Sequence, residues 1–445
     1  MKRQQLISAL LATVLCAGTA PAAMAAAADA SLAAVADADA AANRRADLQT
    51  LMDTLERVHP DLYANTPKAD FEAKRAAIEA DIASMSEIDF AIAAAELVAL
   101  VRDSHTGVNI NLLMDKLTYL PVNLARMHEG WVIAALPRSQ SADLGGTVTA
   151  VNGIPIANVQ ARISAMVSAD NRAYADRQTG SLLTIYDVLA YYGVADDPSR
   201  VTLTVRAQDG TTHELSLQAS SAAELRQADI AYLSEQRTGV PATEADRSKL
   251  YFYKPLDSRT LYIQYNSCRE DEALPMETFA DQVKAAVEQN GYDRVIVDLR
   301  SNGGGSDGVI LPLLFLLEEM REQDGVALYG LIGNATFSSA LINAVELKQI
   351  GATLVGTPTG GSVDHFGEVS GFNLPNSGIR VSYSNKFIDL ATLLDAAKPY
   401  GVESLPPDIP IEQTLDDWRN GRDTAVETIL ARKGDAMRPK SVLTR

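Results

Sequence analysis

Apolar residues recur at helical spacing over the first part of the chain. One such run ends at Val58, and two others cover residues 69–84 and 88–101. Ser86 precedes the last run and is a candidate N-cap. The pattern predicts a small N-terminal helical domain over residues 44–106.

The pattern then changes to short alternating strands separated by glycine turns. Residues 147–151 are typical of a strand, and Asn152-Gly153 has the composition of a tight turn. A second hairpin is expected around Gln208-Asp209-Gly210. These features predict a compact β-rich domain over residues 117–220, followed by a polar linker at 221–249.

From residue 250 onward, apolar runs of strand length alternate with helical runs. Residues 294–299 are almost continuously apolar, which is typical of a strand buried on both faces. A glycine turn and a helix follow, then a strand at 326–332 and a helix at 339–350. This alternation predicts parallel strands joined by helices. We therefore expect an α/β core over residues 250–430 and a C-terminal tail at 431–445.

The N-terminal 25 residues have the pattern of a cleavable secretory signal peptide. Lys2 and Arg3 precede an apolar run, which ends in the small residues Ala23-Met24-Ala25. The run is too short for a membrane-spanning helix, and an uncleaved anchor is the alternative. Residues 26–43 are rich in Ala and Asp with little to bury, which predicts a flexible spacer. The expected location is periplasmic or secreted.

Composition limits the partners and cofactors. A formal net charge of −18 argues against nucleic acid and against anionic membranes. Signal cleavage would leave Cys268 as the one cysteine, so no intramolecular disulfide is expected, and a small buried side chain is the favoured interpretation. No pair of histidines or cysteines has zinc-ligand spacing, and no phosphate-binding glycine fingerprint occurs. We predict no metal and no cofactor.

Two predicted strand-to-helix turns in the core contain residues suited to acyl chemistry. Ser338 lies between a strand and a helix, where its hydroxyl would project from a sharp turn beside the amide of Ser339. A simple N-cap is the alternative role. The glycines at residues 303–305 let the other turn bring a backbone N–H close to a ligand.

Two histidines are candidate bases. His105 follows the third predicted helix and is flanked by Asp103, Ser104 and Thr106, which are able to fix a ring tautomer. His365 also lies in a polar loop with acidic residues close by. A lone histidine is also often structural, so the residue type alone leaves both roles open.

Three motifs together resemble the C-terminal-processing and tricorn-core family of serine peptidases, the tail-specific proteases. They are Val-Asp-Leu-Arg-Ser-Asn-Gly-Gly-Gly at residues 297–305, Thr-Phe-Ser-Ser-Ala at 336–340 and Gly-Thr-Pro-Thr-Gly-Gly at 356–361. The resemblance implies an α/β (α+β) multidomain fold: a helical segment, then a PDZ-like domain, then a crotonase-like catalytic core. A PDZ-like domain implies recognition of a polypeptide by its C-terminus.

The resemblance also implies residue roles. Ser338 matches the nucleophile, and the amides of Gly304 and Ser339 match the oxyanion donors. In the processing branch of the family a lysine serves as base, but Ser362 stands at that position. In the tricorn-like branch the base is a histidine preceded by serine, which Ser104 and His105 match.

The acid that would support the base is not matched. Lys398 stands near the place of the tricorn-like glutamate, and Leu341 replaces the glutamate that often follows the nucleophile. Glu368 and Asp364 are the remaining candidates. His365 keeps two alternatives: it could itself be the base, or it could bind a substrate carboxylate.

These observations predict an exported serine-type endopeptidase. It would hydrolyse polypeptides through an acyl-enzyme on Ser338, without a cofactor and without a nucleic acid or membrane partner after signal cleavage. The alternative is an inactive or impaired relative that binds peptides or other ligands, because fold does not guarantee chemistry.

Overall fold

The computed structural model describes residues 22–244 and 246–432. Most of the predicted signal peptide and most of the predicted tail therefore lie outside the described residues. Within these ranges no helix is both long and apolar enough to cross a bilayer.

The helices are named in chain order. They are α1 (Ala22–Val58), α2 (Lys68–Asp81), α3 (Glu87–Ala99), α4 (Ile156–Ile163), α5 (Arg172–Leu182), α6 (Tyr186–Tyr191), α7 (Ala222–Leu225), α8 (Met276–Asn290), α9 (Leu311–Gln323), α10 (Ser339–Gln349), α11 (Leu390–Leu393), α12 (Leu415–Arg419) and α13 (Thr424–Leu430).

The strands are named in the same way. They are β1 (Gly107–Asn109), β2 (Thr118–Tyr119), β3 (Asn123–Met127), β4 (Gly130–Pro137), β5 (Thr147–Val151), β6 (Ile154–Pro155), β7 (Val201–Arg206), β8 (Thr212–Leu217), β9 (Ser220–Ser221), β10 (Ile230–Tyr232), β11 (Tyr251–Pro255), β12 (Thr260–Tyr265), β13 (Arg294–Asp298), β14 (Ala327–Ile332), β15 (Thr353–Gly356), β16 (His365–Asn373), β17 (Arg380–Ile388) and β18 (Ile409–Pro410).

The N-terminal unit consists of α1, α2 and α3. Helix α3 begins with the predicted cap: Ser86 and Asp89 form a reciprocal capping box. The structure differs from the prediction at residues 26–43, which lie inside α1 rather than forming a flexible spacer. Alanine has the highest helix propensity. An alanine-rich run with little to bury can therefore extend a helix whose later turns are held by Leu48, Leu51 and Leu55, all fully buried.

The β-rich module is a seven-stranded sheet in the order β10-β4-β5-β7-β8, with β3 paired to β4 and β6 to β5. The predicted strand at 147–151 and the hairpin around Gly210 are confirmed. Strand β10 pairs with β4 and lies within residues 221–249, so this segment is partly a strand and not only a linker. The module shares one hydrophobic core with α1, α2 and α3, so the two predicted domains pack as one body.

The core contains a six-stranded sheet in the order β11-β12-β13-β14-β15-β18. Every pair from β12 to β18 is parallel, as predicted, and β11 is an antiparallel edge. Helices α8, α9 and α10 cover one face, and α13 packs on the other. Because the strands are parallel, the turns that follow β13, β14 and β15 all lie at one edge of the sheet.

A third sheet connects the N-terminal unit to the core, and the sequence analysis did not predict it. It has the order β1-β17-β16, all antiparallel. Strand β1 begins two residues after His105, and β17 belongs to the core. The pairing of β1 with β17 therefore brings the His105 loop to the core.

Candidate active site

Ser338 lies at the turn between β14 and α10 in a backbone conformation that side chains rarely adopt. Its φ is 55° and its ψ is −131°. A positive φ on a residue that is not glycine indicates local strain held in place by the surrounding structure. Ser338 makes no side-chain capping bond to α10. The plain N-cap alternative therefore does not describe its side chain.

The glycine turn after β13 packs directly behind Ser338. Asn302, which is fully buried, connects the two turns: its carbonyl accepts from the amide of Phe337 at 3.2 Å, and its side-chain amide donates to Tyr265 O at 3.0 Å. The hydroxyl of Thr336, in the Ser338 turn, donates to Leu299 O, in the turn after β13, at 3.0 Å. These bonds hold the two turns together at the edge of the parallel sheet.

Gly304 and Ser339, the two candidate oxyanion donors, both lie at the Ser338 turn, but their amides differ. A Cβ at Gly304 would lie 2.8 Å from Ser338 Cβ and 3.0 Å from Ser339 N, so the site requires glycine there. The Gly304 amide, however, donates to Asn302 Oδ1 at 2.9 Å. The amide of Ser339 opens α10 and has no acceptor within the helix. Ser339 is therefore the better placed donor in this conformation.

His105 lies between α3 and β1, and its loop is anchored by the neighbouring Asp103. Asp103 Oδ1 accepts from the His105 amide at 2.9 Å and lies 3.9 Å from His105 Nδ1. Both side chains are almost fully buried. Asp103 is therefore the carboxylate that the structure places beside the candidate base.

Asp103 also receives hydrogen bonds from three other side chains. Its Oδ2 accepts from His59 at 3.3 Å, from Thr106 at 2.5 Å and from Ser384 at 2.6 Å. Burial by itself would raise the pKa of Asp103, but these donors outweigh it and lower the pKa below the usual range. Asp103 is thus a buried anion that holds the base loop in place.

The His105 ring lies in a column of four aromatic rings. It stacks on Phe337 with centroids 4.3 Å apart and on His365 with centroids 5.3 Å apart, and Tyr174 stacks on Phe337 at 5.1 Å. Neither ring nitrogen of His105 has a hydrogen-bond partner among the described residues. Burial lowers the pKa of His105 to about 4, the neighbouring His365 acts in the same direction, and Asp103 opposes both. His105 is therefore a neutral imidazole with a free lone pair at neutral pH.

His365 begins β16 and is nearly fully buried beside His105. Its Nδ1 lies 3.2 Å from Val363 O, and a carbonyl only accepts, so Nδ1 carries the proton. Burial lowers the pKa of His365, and its Nε2 has no partner within the described chain. A neutral ring with a bare lone pair is suited to a base and unsuited to binding a carboxylate.

The structure does not bring the other candidate acids to His105. Glu368 is exposed and pairs with Lys386 at 2.8 Å. Asp364 accepts from the amide of Ala391 at 2.9 Å. Lys398 pairs with Asp395 at the surface. Among the described residues, none of these side chains forms a hydrogen bond or an ion pair with His105 or Ser338.

The side chain of Ser104 contacts the β-rich module. Its hydroxyl donates to Asp170 Oδ1 at 2.6 Å. The next residue, Asn171, donates to Gly360 O at 2.9 Å and to Ser362 Oγ at 3.1 Å. Ser104 therefore joins the base loop to a segment of the module that also contacts the core.

Cys268 is fully buried and makes sulfur contacts to Asn302 and Asn343. Burial raises the pKa of its thiol to about 11, which leaves it protonated at neutral pH. This environment supports the interpretation of Cys268 as a structural residue.

Two cavities lie close to the Ser338 turn and the His105 loop. The larger one, of about 1440 Å³, lies between the β-rich module and the ends of β13, β14 and β15, and reaches Asn334 in the Ser338 turn. The smaller one, of about 840 Å³, is lined by Asp103, Asp170 and His365. In the ranges that the structure covers, no three side chains form a cluster able to hold a metal ion.

The structure adds residues to the site that the sequence analysis did not single out. In the sequence, Phe337 stands out only as part of the motif at 336–340, and no local pattern predicts its contact with His105. Ser384 and Tyr174 come from distant parts of the chain, and no spacing rule connects them to the site.

Comparisons with known proteins show similarity in structure only. No family model and no curated protein matches the chain. The chain is similar to mature CPAF complexed with lactacystin, with a TM-score of 0.58 and 16% identity over 85% of this chain and 95% of that chain. A second structure of mature CPAF gives a TM-score of 0.54 and 17% identity over 85% and 95%.

A photosystem II D1 C-terminal processing protease is also found, with a TM-score of 0.36 and 13% identity over 83% of this chain and 93% of that chain, too low to support an argument. At these identities the similarity shows a shared fold. The chain has the mixed α/β multidomain fold of CPAF.

Proposed function

We propose that the protein is a serine-type peptidase that cleaves polypeptides with Ser338 as nucleophile. The observation that carries the proposal is the backbone of Ser338, held at φ 55° and ψ −131° at the start of α10 with Gly304 packed behind it. Strain of this kind is maintained at functional sites because it presents a side chain to a ligand. A structural serine at a helix start needs no such conformation.

In the proposed reaction His105 is the general base. It takes the proton of Ser338 Oγ as Oγ attacks the carbonyl carbon, and the Ser339 amide stabilises the oxyanion. His105 then gives that proton to the leaving amine, and water releases the acyl group by the reverse sequence. Asp103 orients the His105 loop and stabilises the imidazolium, in place of the glutamate of tricorn-like enzymes.

The described residues contain no hydrogen bond between Ser338 and His105. Such bonds often form only when substrate is bound. We propose that substrate binding brings the two side chains into contact. The ring contact between Phe337 and His105 already keeps the base beside the nucleophile turn.

The substrate groove is proposed to be the 1440 Å³ cavity between the module and the core. It is large enough for an extended peptide. The β-rich module is proposed to act as a PDZ-like domain that receives the substrate C-terminus, and the core as a crotonase-like catalytic domain. A peptide with a free C-terminus should therefore bind more tightly than its amidated form. Equal dissociation constants would contradict C-terminal recognition.

The direct test is labelling with a fluorophosphonate probe. The wild-type protein should be labelled at Ser338, as shown by mass spectrometry of the labelled peptide. The Ser338→Ala variant, checked by circular dichroism for correct folding, should not be labelled. Absence of labelling in the folded wild-type protein would favour the alternative, a peptide-binding protein without peptidase activity.

Endopeptidase activity would appear as internal cleavage of an unfolded polypeptide, whereas an exopeptidase would release only terminal residues. Export is proposed from the pattern of the first 25 residues. N-terminal sequencing of protein from a native expression host would find the mature end near Ala25 if the signal is cleaved.

A further inference from the structure

The ring of Phe337 lies face to face with the candidate base. Phe337 immediately precedes Ser338, and its ring lies against the His105 imidazole with centroids 4.3 Å apart and planes at 24°. The amide of Phe337 donates to Asn302 O at 3.2 Å, so its backbone is fixed. Tyr174 of α5 packs on Phe337 at 5.1 Å. The ring is thus held between the module and the base.

The proposed proton transfer requires a group beside His105 that stabilises positive charge on its ring. His105 must become an imidazolium when it accepts the Ser338 proton, yet its nitrogens are buried without partners. His365, stacked at 5.3 Å, offers no negative charge. Asp103 Oδ1 is 3.9 Å from Nδ1, which is longer than a hydrogen bond. The aromatic ring closest to the imidazole is that of Phe337, whose centroid lies 4.3 Å away.

The face of an aromatic ring carries negative electrostatic potential and attracts a planar cation stacked on it. The attraction is stronger in a buried site than in water. Because Phe337 is adjacent to Ser338 in the chain, its ring also fixes how far His105 lies from the nucleophile turn.

We propose that Phe337 is a positioning residue of this centre, which holds the His105 imidazole beside Ser338 and stabilises the imidazolium formed during proton transfer. The proposal rests on the proposed peptidase function for its role in catalysis. The ring contact itself does not depend on that function.

The test replaces Phe337 with a series of mono-, di- and trifluorinated phenylalanines by amber suppression. Fluorine withdraws density from the ring face with little change in shape, so packing is nearly constant along the series. We expect kcat on a fluorogenic peptide to fall stepwise, to about tenfold below wild type for the trifluorinated ring, with KM within about twofold. Phe337→Leu, which removes the ring face, should lower kcat at least as much.

A second readout is independent of catalysis. NMR titration of the His105 imidazole, assigned with His105→Gln, should show a pKa that falls along the same series. Phe372→Leu is the control: its ring packs 6.1 Å from Tyr383 and not on His105. It should change neither kcat nor the His105 pKa.

The outcomes separate the two proposals. If the wild-type protein cleaves no peptide in a Ser338-dependent way, the proposed function fails, while the NMR series still decides whether Phe337 stabilises the imidazolium. A flat series in both readouts would overturn the inference. Wild-type kcat in Phe337→Leu, or an equal fall in Phe372→Leu, would overturn it as well.

Discussion

Ser384 donates a 2.6 Å hydrogen bond to Asp103 across 281 positions of the chain. Ser384 belongs to β17, and Asp103 lies two residues before the candidate base. The bond runs alongside the pairing of β1 with β17, in which Gly107 is opposite Ser382. The candidate base His105 is therefore held on the core by one strand pair and one buried anion.

The first prediction follows from that anion. Asp103→Asn keeps the size of the side chain but removes its charge, so the His105 imidazolium loses its nearest carboxylate. We expect kcat/KM to fall by about 10²-fold. The measurement is steady-state kinetics on a variant whose circular dichroism spectrum matches that of the wild-type protein. Wild-type kcat/KM in Asp103→Asn would show that another acid supports the base.

Ser384→Ala is the matched control for Asp103. It removes one donor and leaves the charge in place, so the free energy of unfolding should fall by about 1–3 kcal/mol. The loss in kcat/KM should be clearly smaller than for Asp103→Asn. If both variants lost activity equally, the role of Asp103 would be to hold the loop and not to support the charge.

The second prediction concerns Gly304, the glycine behind Ser338. In Gly304→Ala, the new Cβ would lie 2.8 Å from Ser338 Cβ. The φ of residue 304 is 104°, a conformation that side chains rarely adopt. We expect fluorophosphonate labelling and kcat to fall by about 10²-fold or more, because the Ser338 turn and the oxyanion donors are displaced. Gly303→Ala is the control, since no atom lies within 4 Å of its Cβ. Full labelling of a folded Gly304→Ala would contradict the geometry.

The core could be predicted from the sequence because its signals are local. Buried parallel strands such as β13 and β14 are short apolar runs, and the turns that follow them contain the glycines and serines that the proposed chemistry requires. The same local patterns located Ser338, Gly304 and the cap at Ser86. Each of these depends on residues within a few positions of one another.

The rest of the site depends on pairings that no local pattern encodes. The sheet β1-β17-β16 joins segments from opposite ends of the chain, so the contact of Asp103 with Ser384 was not predictable. Glu368 was a plausible acid by its position after the motifs, but the pairing of β16 with β17 places it at the surface beside Lys386. The carboxylate that lies beside His105 comes instead from its own loop.

The third prediction separates the two stacked histidines. His105→Ala should lower kcat/KM by about 10²-fold or more, because the general base is lost. His365→Ala should retain kcat/KM within about tenfold, because His365 only stacks on the His105 ring and takes no proton in the proposed reaction. Added imidazole should partly restore activity to His105→Ala, whose missing ring leaves space beside Phe337. The reverse pattern, with the larger loss and the rescue in His365→Ala, would make His365 the base.

The fourth prediction is the pH dependence of activity, which follows from the burial of His105. A general base must be neutral to act, and burial lowers the pKa of His105 to about 4. As the pH is lowered, kcat/KM should therefore stay constant through pH 6 and fall only near pH 4.

The same pKa shift makes the stability of the fold depend on pH. The unfolded chain protonates its histidine near pH 6.5, so the stability that neutral His105 supports is present above that pH and is lost as pH falls towards 4. His105→Gln should remove this part of the dependence in urea unfolding. Asp170, whose pKa burial raises to about 6, works in the opposite direction over the same range, so the comparison is made in an Asp170→Asn background. An acid limb near pH 6.5 in the otherwise unchanged protein would show that the base is solvated during turnover.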